Sequence, residues 1–196
     1  MYNTKTATTN NEEFVSDYMP VGINTDVILK EIMVEKSTTG QDFLKIIFEN
    51  SKEQTAEWTE WKNKKNTWIK TDEELQKRDD QQFGRVLQLV SCYIEDIPDA
   101  ELNSFVDMIN WVKTTLTPLI PTKKKLRLKV IYDKKGYTKV SSNGIFVEAN
   151  DVNPSQIKLF KRDTLERPVQ ADKETGNDPF ADNSTSVTGE ISDLPF

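Results

Sequence analysis

The amino-acid sequence predicts a mainly β domain with a helical insertion, on three observations. Three β-type patterns come first, between Val21 and Lys62; two helix-type patterns follow, between Thr71 and Leu116; two more β-type segments close the order, between Leu126 and Ala149. Three antiparallel strands, a helical block and two further strands is the element order of the OB-fold, a five-stranded Greek-key barrel with its helix between strands 3 and 4. Here two helices occupy a slot that usually holds one. The domain is expected over 20–166, preceded by a polar, Thr/Asn-rich arm (1–19) and followed by an acidic tail without periodicity (167–196).

The first strand is read from VGINTDVILKEIMVE (21–35), where β-branched and apolar residues run on for longer than an ordinary strand, so it should bend. STTG (37–40) makes a turn into QDFLKIIFEN, in which Leu44, Ile46 and Phe48 alternate with Phe43, Lys45 and Ile47, a period of two. TAEWTEWK gives the third strand and the charged KNKKN after it a loop. At Thr71 the pattern changes. TDEE is a capping box, Thr71 at the cap and Glu74 three residues on, and Leu75, Phe83, Val86, Leu87 and Val90 follow at helical spacing for about twenty residues. The second helix is read from the stripe Leu102, Phe105, Val106, Ile109, Val112 and Leu116, ended by Pro118. In LRLKVIYD, Leu126, Leu128, Val130 and Tyr132 alternate with Arg127, Lys129 and Ile131; DKKG then turns the chain into GYTKV and IFVEA, one strand or a pair. SQIKLFKR (155–162) is a helical turn or an added strand.

Composition removes several chemistries. One cysteine, Cys92, and no histidine exclude a disulfide framework and disable zinc clusters and histidine-based acid/base work. Cys92 sits in an apolar helical segment and reads as core rather than nucleophile. No apolar run is long enough to cross a bilayer, and the first residues lack the basic start and apolar centre of a secretory signal, so a soluble cytoplasmic protein is expected. The acids from Asp72 to Asp80 read as a wet helix face near its N-terminus, not as ligands for a nuclease metal.

The net charge of −6 would argue against a polyanionic partner, since nucleic-acid affinity comes largely from cations that displace counterions. Its distribution reverses that inference. Residues 172–196 carry −5, which leaves −1 for the remainder; within that remainder, 71–107 hold ten acids against three bases and 122–167 hold twelve bases against five acids.

A surface for single strands needs cations for phosphates and flat rings on which bases can lie. Phe43 and Lys45 share one face of the second strand. Trp58 and Trp61, three apart on the third, point to opposite faces of a regular strand, so at least one faces outward. Lys62, Lys64 and Lys65, with Trp68 and Lys70 beyond, interleave basic and aromatic groups; Arg127 and Lys129 lie opposite the apolar face of the fourth strand, and Lys134, Lys135 and Tyr137 decorate the last turn. Each has a plainer reading: tryptophans pack more often than they are displayed, and lysines on an outer strand face can simply blunt an edge.

The sequence closes on Ile191-Ser192-Asp193-Leu194-Pro195-Phe196. This stretch, behind an acidic linker, resembles the tip of bacterial and phage single-stranded DNA-binding proteins, which end on acids followed by a hydrophobic residue, proline and phenylalanine; it differs in having Ser192-Asp193 where paired acids are usual. GINTDVILKEI and VIYDKKGYTKV look more like the phage-encoded type. The resemblance implies sequence-nonspecific protection of single-stranded DNA in replication, recombination and repair, with enzymes of those processes captured through Asp193, Leu194, Pro195 and Phe196. It implies no catalysis and no cofactor, allows a homo-oligomer, and selects DNA over RNA. As a peptide ligand the tip is sensible, because proline limits its free conformers and the ring can fill a pocket. Asp178-Pro179-Phe180 is a candidate second copy. The alternative is a replisome adaptor whose barrel binds protein.

Overall fold

The computed structural model describes residues 16–168; residues 1–15 and 169–196, and with them the acidic tail and both Pro-Phe motifs, lie outside the described residues. The described chain forms β1 (Gly22–Lys36), β2 (Asp42–Glu49), β3 (Thr55–Trp61), α1 (Asp72–Ser91), α2 (Phe105–Leu116), β4 (Leu126–Tyr132), β5 (Thr138–Val140) and β6 (Val147–Ala149), with a 3-10 turn, Thr117–Thr122, running on from α2. The strands make one antiparallel sheet in the order β3-β2-β1-β4-β5, and β6 also pairs with β4. The sheet is not closed. Its two ends, β3 and β5, come within 8 Å between Cα atoms without a hydrogen-bonded ladder among the described residues.

The length of β1 follows from its two partners. Gly22 to Val27 pair with β4 and Ile28 to Lys36 with β2. Register irregularities at Asn24/Val27 and Leu29/Glu31 bend it between the two, as bulges do. Asp26, at φ 55°, takes the left-handed conformation that the first bend requires, and Lys125 pairs with its carboxylate at 2.8 Å.

Alternation buries Leu44, Ile46 and Phe48 from β2 and Ala56 and Trp58 from β3 against Val27, Leu29 and Ile32 of β1 and Leu126, Leu128 and Val130 of β4. The helices complete this core with Val86, Leu89 and Val90 from α1 and Met108, Ile109, Val112 and Leu116 from α2. The capping box of α1 is formed: Thr71 Oγ1 accepts from the Glu74 N–H at 3.1 Å, and Glu74 Oε2 accepts from the Thr71 N–H at 3.1 Å and the Lys70 N–H at 2.7 Å. Those backbone donors, Lys70 first, hold the Glu74 carboxyl below its usual range. α2 starts three residues later than its apolar stripe, with Ser104 as cap, because Leu102 packs from the preceding loop.

Cys92 is buried at the end of α1, and desolvation pushes its thiol up to about 12. A water-soluble disulfide reagent should therefore leave the native protein almost unlabelled and modify one thiol on addition of denaturant; rapid labelling without denaturant would contradict this placement.

Two segments differ from the sequence reading. Asp17–Met19, assigned to the arm, run along β3: Met19 is fully buried, its N–H donates to Thr55 O at 2.9 Å, and the Thr55 N–H donates to Asp17 O at 2.8 Å. Residues 150–168 contain neither a helix nor a strand, so SQIKLFKR is neither of the expected forms. This strap instead crosses the outer side of β4, burying Ile157, and the Tyr132 N–H donates to Thr164 O at 2.8 Å. β4 is consequently covered on both faces, and Arg127 and Lys129, expected outward, lie beneath the strap.

Candidate nucleic-acid interface

β2 and β3 turn a second face away from the core. Their register sets Phe43 opposite Trp61, Lys45 opposite Thr59 and Ile47 opposite Glu57, and β1 continues these rows with Glu35, Met33 and Glu31. The Phe43 and Trp61 rings stack with centroids 4.3 Å apart and planes 22° apart, and Trp61 keeps 44% of its surface exposed. Stacked aromatic pairs on the exposed side of a sheet offer a flat apolar platform. Lys45 Nζ lies 3.0 Å from Glu57 Oε1, a half-exposed pair of small energetic weight.

Trp58 takes the opposite side, as a three-residue spacing dictates. At 4% exposure it is a core residue and not a displayed ring: Phe146 meets it edge-on at 4.9 Å, and its Nε1 donates to Glu60 Oε1 at 3.1 Å. Glu60, itself buried, also accepts from Arg85 Nε at 2.9 Å and Gln82 Nε2 at 2.7 Å, which ties β3 to α1.

The loop after β3 continues the displayed face in sequence. Lys62, Lys64 and Lys65 are exposed, and Lys65 Nζ sits 2.7 Å from Asp72 Oδ1. Asn66 Oδ1 accepts from the N–H groups of Trp68 (2.8 Å) and Ile69 (3.0 Å), a side-chain turn that buries Ile69 and leaves Trp68 85% exposed. Lys134, Lys135 and Tyr137 occupy the exposed β4–β5 turn, which Asp133 organises by accepting from the N–H groups of Tyr137 (2.9 Å) and Lys135 (2.8 Å). These contacts, Tyr137's first, lower the Asp133 pKa.

Arg127 and Lys129 require correction. Arg127 Nη1 donates to Glu148 Oε1 at 2.9 Å and to Val152 O at 2.7 Å. Lys129 is 0% exposed; its Nζ donates to Asn143 O (2.7 Å), Lys158 O (2.9 Å) and Asp163 Oδ2 (3.1 Å). Both hold the strap to β4: Lys129 is wholly enclosed, and Arg127 is partly buried with its Nη1 engaged by Glu148 and Val152. The available signal was compositional, since Glu148 and Asp163 are two of only five acids in the basic stretch 122–167.

A feature absent from the sequence reading is the groove at the unclosed seam, about 340 Å3, lined by Glu57, Thr59, Glu60, Arg85 and Lys139, with Arg85 paired to Glu60. Among the described residues no cluster of three or more metal-ligating side chains occurs, and no helix is long and apolar enough to cross a membrane. No protein-family model matches this chain, and no curated protein matches its sequence.

Proposed function

We propose that this chain binds single-stranded DNA without reading its sequence, through the outer face of β2 and β3 and the loops beside it. The observation that carries the proposal is the stack of half-buried Phe43 on exposed Trp61, followed directly by the basic loop of Lys62, Lys64 and Lys65 with Trp68. Bases stack on the rings, each contributing about 1–3 kcal/mol, while lysines follow the phosphates. Lys134, Lys135 and Tyr137 extend the cationic and aromatic surface. The finer fold reading is an OB-type barrel left open at the β3–β5 seam; the strand order and the position of the helices between β3 and β4 support it.

The choice of DNA and roles in replication, recombination and repair rest on the Ile191–Phe196 resemblance, and a phage source acting in a host cytoplasm rests on the likeness of GINTDVILKEI and VIYDKKGYTKV to the phage-encoded type. On that reading Asp193, Leu194, Pro195 and Phe196 dock into partner enzymes, and the −5 segment competes with DNA for the cations, an effect raised by tethering. Removal of residues 169–196 should then tighten oligo-dT binding in a fluorescence titration; unchanged affinity would remove the competition from the proposal.

A second reading, a protein-binding adaptor, is favoured by Glu31, Glu35 and Glu57 on the same face as Lys45. Salt separates the two. For single strands the logarithm of affinity falls with the logarithm of salt at a slope of about −0.7 per phosphate neutralised.

A further inference from the structure

Between α1 and the start of α2 lies a groove of about 400 Å3 that meets the proposed DNA surface only at Lys62. Phe83, Leu102, Phe105 and Met108 supply its apolar lining, with Asp79 and Asp80 on the α1 side and Lys62 as the only cation among its lining residues. Asp79 accepts from Asn63 Nδ2 at 2.9 Å and Asp80 from Gln76 Nε2 at 2.8 Å. Both donors are neutral amides, and neither carboxylate belongs to an ion pair among the described residues. The surrounding stretch, 71–107, is the acidic half of the chain.

The complementary surface belongs to the same protein. On the strap, Lys158, Lys161 and Arg162 are exposed and likewise form no ion pair among the described residues. Leu159 stands exposed between them. Lys129 fixes this segment from below through Lys158 O and Asp163, so it is ordered before any partner arrives, which limits the ordering cost of association.

We propose that a second copy of this chain docks its strap into the α1–α2 groove, Leu159 meeting the apolar lining and the three cations meeting Asp79 and Asp80. Charge complementarity selects this occupant: the groove is acidic with an apolar lining, and the strap is basic with an apolar side chain at its centre. Because the two patches differ, copies join strap to groove, and the contact either closes symmetrically or propagates.

Sedimentation velocity of the full chain tests this at about 0.01 M and about 1 M salt, where the Debye length is about 30 Å and about 3 Å. Concentration-dependent association at low salt, lost at high salt, is expected. The double variants Asp79→Lys/Asp80→Lys and Lys161→Glu/Arg162→Glu should each sediment as monomers, and an equimolar mixture should associate again. Leu159→Asp, at an exposed position that the fold does not need, should also be monomeric. A wild-type chain that stays monomeric at low salt overturns the proposal and leaves the groove to another basic partner. So does association undiminished in Leu159→Asp, or a mixture that stays monomeric although both reversal variants keep the wild-type circular dichroism.

Discussion

Lys129→Met should destabilise the protein by about 3–5 kcal/mol, the cost of removing one member of a buried ion pair and leaving the other uncompensated. For a domain of this size that corresponds to a fall in Tm on the order of 10 °C. Asp163 is as deeply buried as Lys129 and would keep only its neutral donors, the Phe160 N–H at 2.8 Å, Asn143 Nδ2 at 2.7 Å and Ser141 Oγ at 3.3 Å. The pair itself need not be more stable than an apolar replacement, so Lys129→Met combined with Asp163→Asn should recover much of the loss. Thermal melts of the two single variants and the double variant read the coupling; a Lys129→Met melt within a degree of wild type would contradict the buried placement.

The same contacts set a pH dependence. Desolvation raises the Asp163 pKa, but the donors from Asn143, Phe160 and Lys129, with the Lys129 charge, outweigh it and leave the group below its ordinary 3.8. Glu148 behaves alike: burial raises it, while Ser155, the Gln156 N–H and Arg127 hold it below 4.5. A carboxyl depressed in the folded state contributes stability that is fully present above its unfolded pKa and is lost as pH falls through the folded value. Both contributions therefore hold at neutral pH and disappear in acid, below about pH 4. Asp163→Asn should flatten that acid limb while lowering the plateau.

Trp61→Ala should weaken oligo-dT binding by about 1–3 kcal/mol, or about 5- to 150-fold, because it removes a stacking surface. Stability should fall little, by the loss of its contact with Phe43, about 0.5–1.5 kcal/mol. Trp58→Ala should invert the pattern. Truncating a buried aromatic costs about 3–5 kcal/mol, and Glu60 would lose the Trp58 Nε1 donor, but the displayed face would keep both its rings. Affinity and melting temperature for the two variants give a paired readout, and a Trp61→Ala chain that binds as tightly as wild type would remove Trp61 from the interface.

The parity that separates these tryptophans is legible in the sequence, since three residues along a strand reverse the face. So are the alternation of Leu44, Ile46 and Phe48, the Thr71–Glu74 box and the stripe from Phe105 to Leu116, because each is a local rule satisfied within one element. The strap is not local. Lys129 meets Asp163 34 residues later and Arg127 meets Glu148 21 residues later, and 150–168 carry no period to announce that they cover β4. A strand with alternating cations therefore reads as displaying them. Likewise, the β3–β5 seam depends on where two strand ends meet in space, which neither strand encodes alone.

Titration of the full chain with oligo-dT at low salt, followed by tryptophan fluorescence, tests the DNA-binding proposal most directly. Saturable quenching is expected, because Trp61 and Trp68 are exposed, with affinity falling steeply as salt is added. An absence of measurable binding at low salt would contradict it.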